Sequence, residues 1–377
     1  MRNHLLLQVV AFLLTAPACA QELSLPASGR WILGPYEERT ASLAAGDLDG
    51  DSDADLVVAN GRHWPGQNRI FVNNGRGVFT VERPLGTDRA TSYAAEMADL
   101  DGDGDLDIAV GNDMAPNALF LNQGDGSFIK GPSFGEAYAP TRNITLADLD
   151  ADGDVDILIT NRGAPNEICI NAGDGTFPTA IAFGNREDST IDVEVADMNG
   201  DGAPDLILAN RDAQPNFVYL NDGNLGFGEK IPFGSGADDT RSVCIADVNQ
   251  DGLPDILTAN IGAPNAIYFG DRVSPFTKSA VFDSQASDSF AIAVADLDRD
   301  GDADIIVGNS GSPNAVFLNS EKGQRWDMHL LAEEASDTYD IIVADFNGDG
   351  WPDVAEANSD GVNRYYLNRS AQNTSNK

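Results

Sequence analysis

The stretch Asp99-Leu-Asp-Gly-Asp-Gly-Asp-Leu-Asp107 puts five carboxylates into nine residues, and the chain carries its pattern seven times. The copies begin at Asp47, Asp99, Asp148, Asp197, Asp247, Asp296 and Asp345, in steps of 52, 49, 49, 50, 49 and 49 residues. A fixed period of this length signals a propeller or a solenoid. Each copy reads Asp-x-Asp/Asn-x-Asp-Gly/Ser-x-x-Asp, so positions 1, 3, 5 and 9 always carry a side-chain oxygen. Carboxylates this close repel unless a cation lies between them. A hard cation that takes six to eight oxygens removes the repulsion, and calcium is the usual one. A solvated acidic turn explains a single copy; seven copies in register argue for an ion.

The expected ligands follow copy by copy, with position 7 lending its backbone carbonyl. They are Asp47, Asp49, Asp51, Asp53 and Asp55; Asp99, Asp101, Asp103, Asp105 and Asp107; and Asp148, Asp150, Asp152, Asp154 and Asp156. The later copies supply Asp197, Asn199, Asp201, Ala203 and Asp205; Asp247, Asn249, Asp251, Leu253 and Asp255; Asp296, Asp298, Asp300, Asp302 and Asp304; and Asp345, Asn347, Asp349, Trp351 and Asp353. Up to seven calcium ions are expected. Glycine at position 6 lets the backbone turn around the ion, with Ser52 in its place in the first copy. An EF-hand is excluded, because it closes on Glu at position 12 and lies between helices. Here β-branched and leucine-rich runs flank the loop, as in Val-Glu-Val-Ala before Asp197 and Leu-Ile-Leu-Ala after Asp205.

The repeat unit therefore holds four strands. The first ends at the acidic loop, as in Ile341–Ala344, and the second leaves it, as in Leu106–Val110. The second ends at Asn60, Asn112, Asn161, Asn210, Asn260, Asn309 or Asn358. The third resembles Ala118–Asn122, and a Gly-Asp-Gly turn leads to a fourth such as Ile181–Gly184. The last repeat stops after its third strand, Arg364–Asn368, while residues 30–36 offer a stray strand at the other end. Pairing the two termini closes a ring and removes both free edges. The prediction is an all-β, seven-bladed β-propeller of four-stranded antiparallel blades over residues 21–370, its ring closed by the N- and C-terminal strands. Residues 371–377 read as a disordered polar tail.

The formal charge is −37, and the acidic loops hold about half of the 60 acids. Seven divalent cations add 14 positive charges and leave −23, which still disfavours nucleic acid and anionic membranes. Residues 1–20 have the form of a signal peptide: Arg2, an apolar Leu5–Leu14, then Ala18-Cys-Ala20 before Gln21. Cys19 as a lipoprotein anchor is the weaker alternative, since Ala16-Pro-Ala fits a lipobox poorly. No second stretch is long enough to span a bilayer. A secreted, periplasmic or extracellular monomer is expected. Cys169 and Cys244 fall in repeats that are not neighbours and read as free, buried thiols.

The unit resembles the FG-GAP/VCBS repeat family, whose repeats also build the integrin α-subunit propeller. The resemblance covers roughly residues 30–368 and rests on Phe134-Gly135, Phe183-Gly184 and Phe233-Gly234, on Gly163-Ala-Pro165 and Gly262-Ala-Pro264, and on the acidic loop itself. Its form is closest to secreted bacterial members. The resemblance implies a seven-bladed propeller with calcium in the loops between first and second strands. It says little of function, because the fold hosts adhesion, carbohydrate binding and some carbohydrate-active enzymes. Asn199, Asn249 and Asn347 keep the oxygen at position 3 but lower the charge of their sites.

Ligand contacts are expected on the face opposite the acidic loops. There the first repeat carries Asn60-Gly-Arg-His-Trp-Pro-Gly-Gln-Asn68, three residues longer than its counterpart. Arg62, His63 and Trp64 make it cationic and aromatic, which suits sugar stacking; the same loop would also fold over its own Trp. Seven residues before each acidic loop stands Ser or Thr (Thr40, Ser92, Thr141, Thr190, Thr240, Ser289, Thr338), expected to bond backbone in a turn. The next position varies: Ala41, Tyr93, Arg142, Ile191, Arg241, Phe290 and Tyr339. Tyr93, Arg142, Arg241 and Tyr339 at a channel mouth suit a carboxylate or a sugar, or else pack the rim and pair with Asp192 or Asp340. HExxH, GxSxG, P-loop and cysteine-nucleophile patterns are absent. A non-catalytic calcium-dependent module that binds carbohydrate or an extracellular protein is the leading expectation. The alternatives are a polysaccharide lyase or hydrolase working through the mouth Arg, Tyr and His residues, and a scaffold for a secretion or surface complex.

Overall fold

The computed structural model describes residues 22–370. The leader read at 1–20, Cys19 within it, and the tail at 371–377 lie outside the described residues. The chain is an all-β propeller of four-stranded antiparallel blades. In the second repeat the strands are Ser92–Ala98, Asp107–Asn112, Ala118–Asn122 and Phe128–Lys130, paired in that order. Four repeats form separate four-stranded sheets. The others share an eleven-stranded sheet, joined only by the short pairings Glu38↔Gly361 and Arg39↔Ser359, and Ser310↔Asp337 and Ser312↔Ser336. First strands lie against one another in sequence, and Glu38–Gly46 lies against Ser336–Ala344, the first strand of the last repeat.

Second strands such as Asp205–Asn210 are buried along their whole length. They have blades on both sides, so they read as continuous apolar runs rather than alternating ones. The core lies between blades: Val57, Ala59 and Ile70 of the first repeat interdigitate with Ala95, Ile108, Val110 and Phe120 of the second.

Two sets of asparagines stitch blade to blade. Asn122, at the end of a third strand, donates to Leu48 O in the preceding blade at 2.9 Å and to Leu106 O in its own at 3.0 Å. Asn171 to Leu100, Asn319 to Val248 and Asn368 to Leu297 repeat the bond, and Asn73 makes it to Phe346 across the chain ends at 2.7 Å. At the opposite end of the strands, Ser92 Oγ donates to Asn112 Oδ1 at 2.8 Å and accepts from Asn68 Nδ2 of the preceding blade at 3.0 Å. Asn363 gives the same bond to Thr40 at 2.9 Å. The expected hydroxyl-to-backbone bond at these Ser/Thr positions is thus corrected: Asn117 Oδ1 already takes the Asn112 N–H, and the hydroxyl serves side-chain amides instead. We expect Asn122→Ala to leave two buried carbonyls short of a donor and to cost about 2 kcal/mol, read as a lower denaturant midpoint at unchanged slope.

The stray strand expected at 30–36 is shorter than predicted. It makes one bridge, Ile32↔Arg364, with Leu33 N to Asn363 O at 2.9 Å and Tyr365 N to Trp31 O at 3.1 Å. Gly34 at φ +71° then turns the chain away, and its neighbour Pro35 has no N–H to continue a ladder. Cys169 is buried and free as expected; Cys244 is free but only partly buried, because it lies on the first, innermost strand Thr240–Ala246.

Candidate functional site

The acidic loop is folded by its own carboxylates. Asp99 accepts the N–H of Gly102 at 2.8 Å and of Gly104 at 3.0 Å, while Asp101 and Asp103 accept from Asp103 N and Asp105 N. Asp107 is fully buried and accepts Leu100 N and Asn122 N, which ties the loop to the third strand. This curl gathers oxygens of Asp99, Asp101 and Asp107 within 4.8 Å of one another, and does the same for Asp47, Asp49 and Asp55, for Asp148, Asp150 and Asp156, and for Asp296, Asp298 and Asp300. Burial pushes the Asp107 carboxyl up to about 6 against those two N–H donors, and Asp101 and Asp103 push it further. Asp304 is driven to about 8, by burial first. Such a cluster is what a hard cation relieves, and the donor set is all oxygen, as calcium requires.

In the first three loops positions 5 and 7 stand further out, whereas in the sixth Asp300 at position 5 joins the triad and Asp304 at position 9 does not. Asp51, Asp103 and Asp152 are outside the tight triads of their loops. Asp53, Asp105 and Asp154 lean over Gly75, Gly124 and Gly173, where a Cβ would meet a carboxylate oxygen at 2.5, 2.9 and 2.5 Å. That approach explains the glycine of the Gly-Asp-Gly turn. Trp351 is buried under Arg299, whose guanidinium lies 4.7 Å above its ring. Two position-3 asparagines turn their amide hydrogens inward: Asn347 Nδ2 meets Asp353 Oδ2 at 3.1 Å, and Asn199 Nδ2 meets Asp201 at 2.9 Å. Each amide has to turn over before its oxygen can face a cation.

The other end of the strands carries the second cluster. Register shifts fall between Ser92 and Ala94, Thr240 and Ser242, and Thr338 and Asp340, and the same slip sets Arg142 apart from its neighbours. The variable residue after each Ser/Thr is therefore a β-bulge, an extra residue whose side chain the bulge re-aims. Five bulge residues and the first-repeat insertion meet there. Arg62 lies 4.0 Å over the Tyr339 ring, donates to its hydroxyl, and reaches Ser359 Oγ at 3.1 Å. His63 Nδ1 and Tyr93 Oη are 2.8 Å apart, and Arg142 lies 4.5 Å over the Tyr93 ring. Arg241 sits 5.9 Å from the Tyr339 ring and 6.0 Å from that of Phe290, which packs edge-on to Tyr339 at 4.8 Å. The two separate features of the sequence are one network. Trp64 stands free of these contacts, 66% exposed, with Met114 and Tyr138 also exposed on the adjoining turns.

The rim pairing expected with Asp192 and Asp340 does not form. Arg142 pairs with Asp113 at 2.8 Å. Asp192 is held by Asn143, Ser242 and Val243 N, and Asp340 by Leu43 N and Ile341 N. Burial, then Arg62 and Arg142, lowers the His63 imidazole below its ordinary value, so it is neutral at pH 7. Asp113, Phe290 and Ser359 were missed as site residues; Phe290 alone had a signal, its place in the bulge series.

A model of the FG-GAP-like repeat matches six overlapping windows, residues 47–110, 99–159, 148–208, 197–258, 247–307 and 296–356. The chain belongs to the FG-GAP-like repeat family. Among curated proteins none matches it. The solved structures of BBS1N in complex with ARL6DN resemble it at 12% identity: the mercury-soaked form has a TM-score of 0.60 and covers 93% of this chain and 97% of that one. An Agrocybe aegerita lectin with specific recognition of non-reducing terminal N-acetylglucosamine aligns at 22% identity and TM-score 0.56, covering 81% of this chain and 82% of the lectin. At these identities the likeness concerns the fold. No helix among the described residues is long and apolar enough to cross a membrane.

Proposed function

We propose that this FG-GAP propeller is a secreted, calcium-binding, non-catalytic module that binds carbohydrate, with its ligand at the mouth formed by Arg62, His63, Trp64, Tyr93, Arg142, Arg241 and Tyr339. The observation that carries it is the convergence of the first-repeat insertion with five bulge residues, all cationic or aromatic, in a chain of charge −37. The exposed Trp64, next in sequence to His63, offers a stacking face, and the network supplies hydroxyl, imidazole and guanidinium donors, the mix that sugar recognition uses. The lectin neighbour has a saccharide ligand on a similar fold. Calcium in the acidic loops holds the opposite ends of the strands. We count seven blades in a closed ring: six complete sets of four strands plus Ser336–Tyr366 with its bridge to Ile32, and the cyclic Asn73–Phe346 and Asn363–Thr40 bonds support that count.

A glycan array probed with and without calcium tests the reading. Trp64→Ala is expected to weaken the best ligand at least tenfold while the melting temperature stays nearly unchanged, since the side chain is mostly solvent-exposed. Equal affinity in that variant removes Trp64 from the site. A second reading, a carbohydrate-active lyase, is favoured by one observation: the neutral His63 beside the Tyr93 hydroxyl is a base–acid pair flanked by guanidiniums. Unsaturated products released from an acidic polysaccharide, followed by ultraviolet absorbance, would establish it over simple binding.

A further inference from the structure

Resting on the saccharide-binding reading of the mouth, we propose that this site selects a carboxylated sugar, and that Arg241 is the residue that takes its carboxylate. Three guanidiniums, Arg62, Arg142 and Arg241, act on the Tyr93 hydroxyl, and Arg62 and Arg241 both lie against Tyr339. Two of the three are committed. Arg142 is neutralised by Asp113 at 2.8 Å and also donates to Thr141 O at 3.0 Å. Arg62 uses Nε on Ser359 and Nη1 on Tyr339 and His63. Arg241 differs: among the described residues it forms neither an ion pair nor a hydrogen bond, the rings of Phe290 and Tyr339 lie 6.0 and 5.9 Å from its guanidinium, and Asp192, Asp340 and Arg211 act on its charge from nearby.

The nearest acids do not substitute for a ligand. Asp192 and Asp340 raise the affinity of Arg241 for its proton, yet their oxygens are already held by Asn143, Ser242 and the N–H groups of Leu43, Ile341 and Val243. Burial works against the charge of Arg241, and Asp192 and Asp340 offset part of that cost without pairing with it, so an incoming carboxylate gives the guanidinium the direct partner it lacks. The planar fork suits two parallel hydrogen bonds to a carboxylate, and the flanking rings hold it in place. The aromatic surround and the exposed Trp64 favour a pyranose ring as the carrier of that carboxylate over an acidic peptide.

The test is titration calorimetry on the calcium-loaded chain with trigalacturonate, its carboxyl-reduced neutral trisaccharide, and an Asp-rich peptide. Trigalacturonate is expected to bind at least tenfold more tightly than the reduced form. Arg241→Gln is expected to bring it down to the neutral sugar's affinity without changing that affinity, and Arg241→Lys, which keeps the charge but loses the fork, to fall between. Equal binding of the two saccharides, or indifference of trigalacturonate to both variants, overturns the carboxylate assignment while leaving saccharide binding intact. Binding of neither saccharide removes the underlying reading as well. Preference for the peptide over both overturns the proposal in favour of a protein partner. A misfolded Arg241→Gln is recognised by its melting curve, and the lysine variant and the trisaccharide pair then carry the decision.

Discussion

EDTA is expected to lower the melting temperature of this protein by about 20 °C or more, and calcium to restore it better than magnesium. Each acidic loop brings three to five acids to the point where first and second strands meet. Like charges at about 4 Å repel by about 1 kcal/mol per pair even at the dielectric constant of water. A ligand at roughly tenfold excess over its Kd adds about 1.4 kcal/mol per site, or on the order of 10 kcal/mol for seven. That rivals the whole stability of an ordinary domain, and about 2 °C per kcal/mol gives the expected shift. Magnesium demands strict octahedral geometry and gives up its water reluctantly, so it fits these loops less well. The buried closing aspartates set the pH dependence. Asp55, Asp107, Asp156 and Asp255 are pushed to about 6 and Asp353 to about 7, with burial the leading cause in each. A raised carboxyl favours the folded state fully below its unfolded value and loses that contribution as pH rises through the folded one. In EDTA the protein should therefore melt higher at pH 5 than at pH 8, because protons take over part of the work of the cation. With calcium the order reverses, since protons compete for its ligands. Asp103→Ala should cost one site only. A melting curve indifferent to chelator, calcium and pH would sink the calcium reading.

The acidic loop was legible because the seven copies check one another: one register fixes the strands on both sides, and with them the propeller. The mouth was half legible. The insertion Arg62-His63-Trp64 and the variable residues Tyr93, Arg142, Arg241 and Tyr339 were visible as breaks in the repeat, but not that they meet. Their meeting depends on the bulge, one extra residue in each first strand that leaves no mark in composition. It depends as well on contacts across the chain ends, such as Arg62 with Tyr339 and Ser359. The two asparagine stitches were seen only as recurring letters. An Asn at the end of a strand looks like a turn residue until the neighbouring blade supplies the carbonyl or hydroxyl that it bonds. A cavity of about 560 Å³ beside the fifth acidic loop, lined in part by Arg272 and Lys322, went unseen too. It opens where Gly270 replaces the usual Asn, a substitution that a period count passes over.

Deleting residues 22–36 is expected to abolish cooperative melting and make the protein aggregate. This segment supplies the outer partner of the last blade, whose third strand Arg364–Tyr366 otherwise ends the sheet. Without it, Asn363 O and Tyr365 N lose their backbone partners, and a strand edge is left ready to pair with another chain. The loss reaches inward as well. Leu33 is buried among Leu43, Phe71, Phe346 and Tyr365, so it fills the seam between the last blade and the first, and Trp31 stacks at a tilt on Tyr365. Leu33→Ala separates the two contributions. It should cost about 3 kcal/mol through the cavity it leaves while the backbone bonds keep the edge covered, so that variant is expected to melt lower but stay cooperative and monomeric. The deletion removes side chain and edge partner together, and aggregation measured by size-exclusion chromatography is its distinguishing outcome. A truncated chain that stays monomeric and melts like the full one would mean that the ring does not depend on its N-terminal strand, and closure would then rest on the Asn73–Phe346 and Asn363–Thr40 bonds alone.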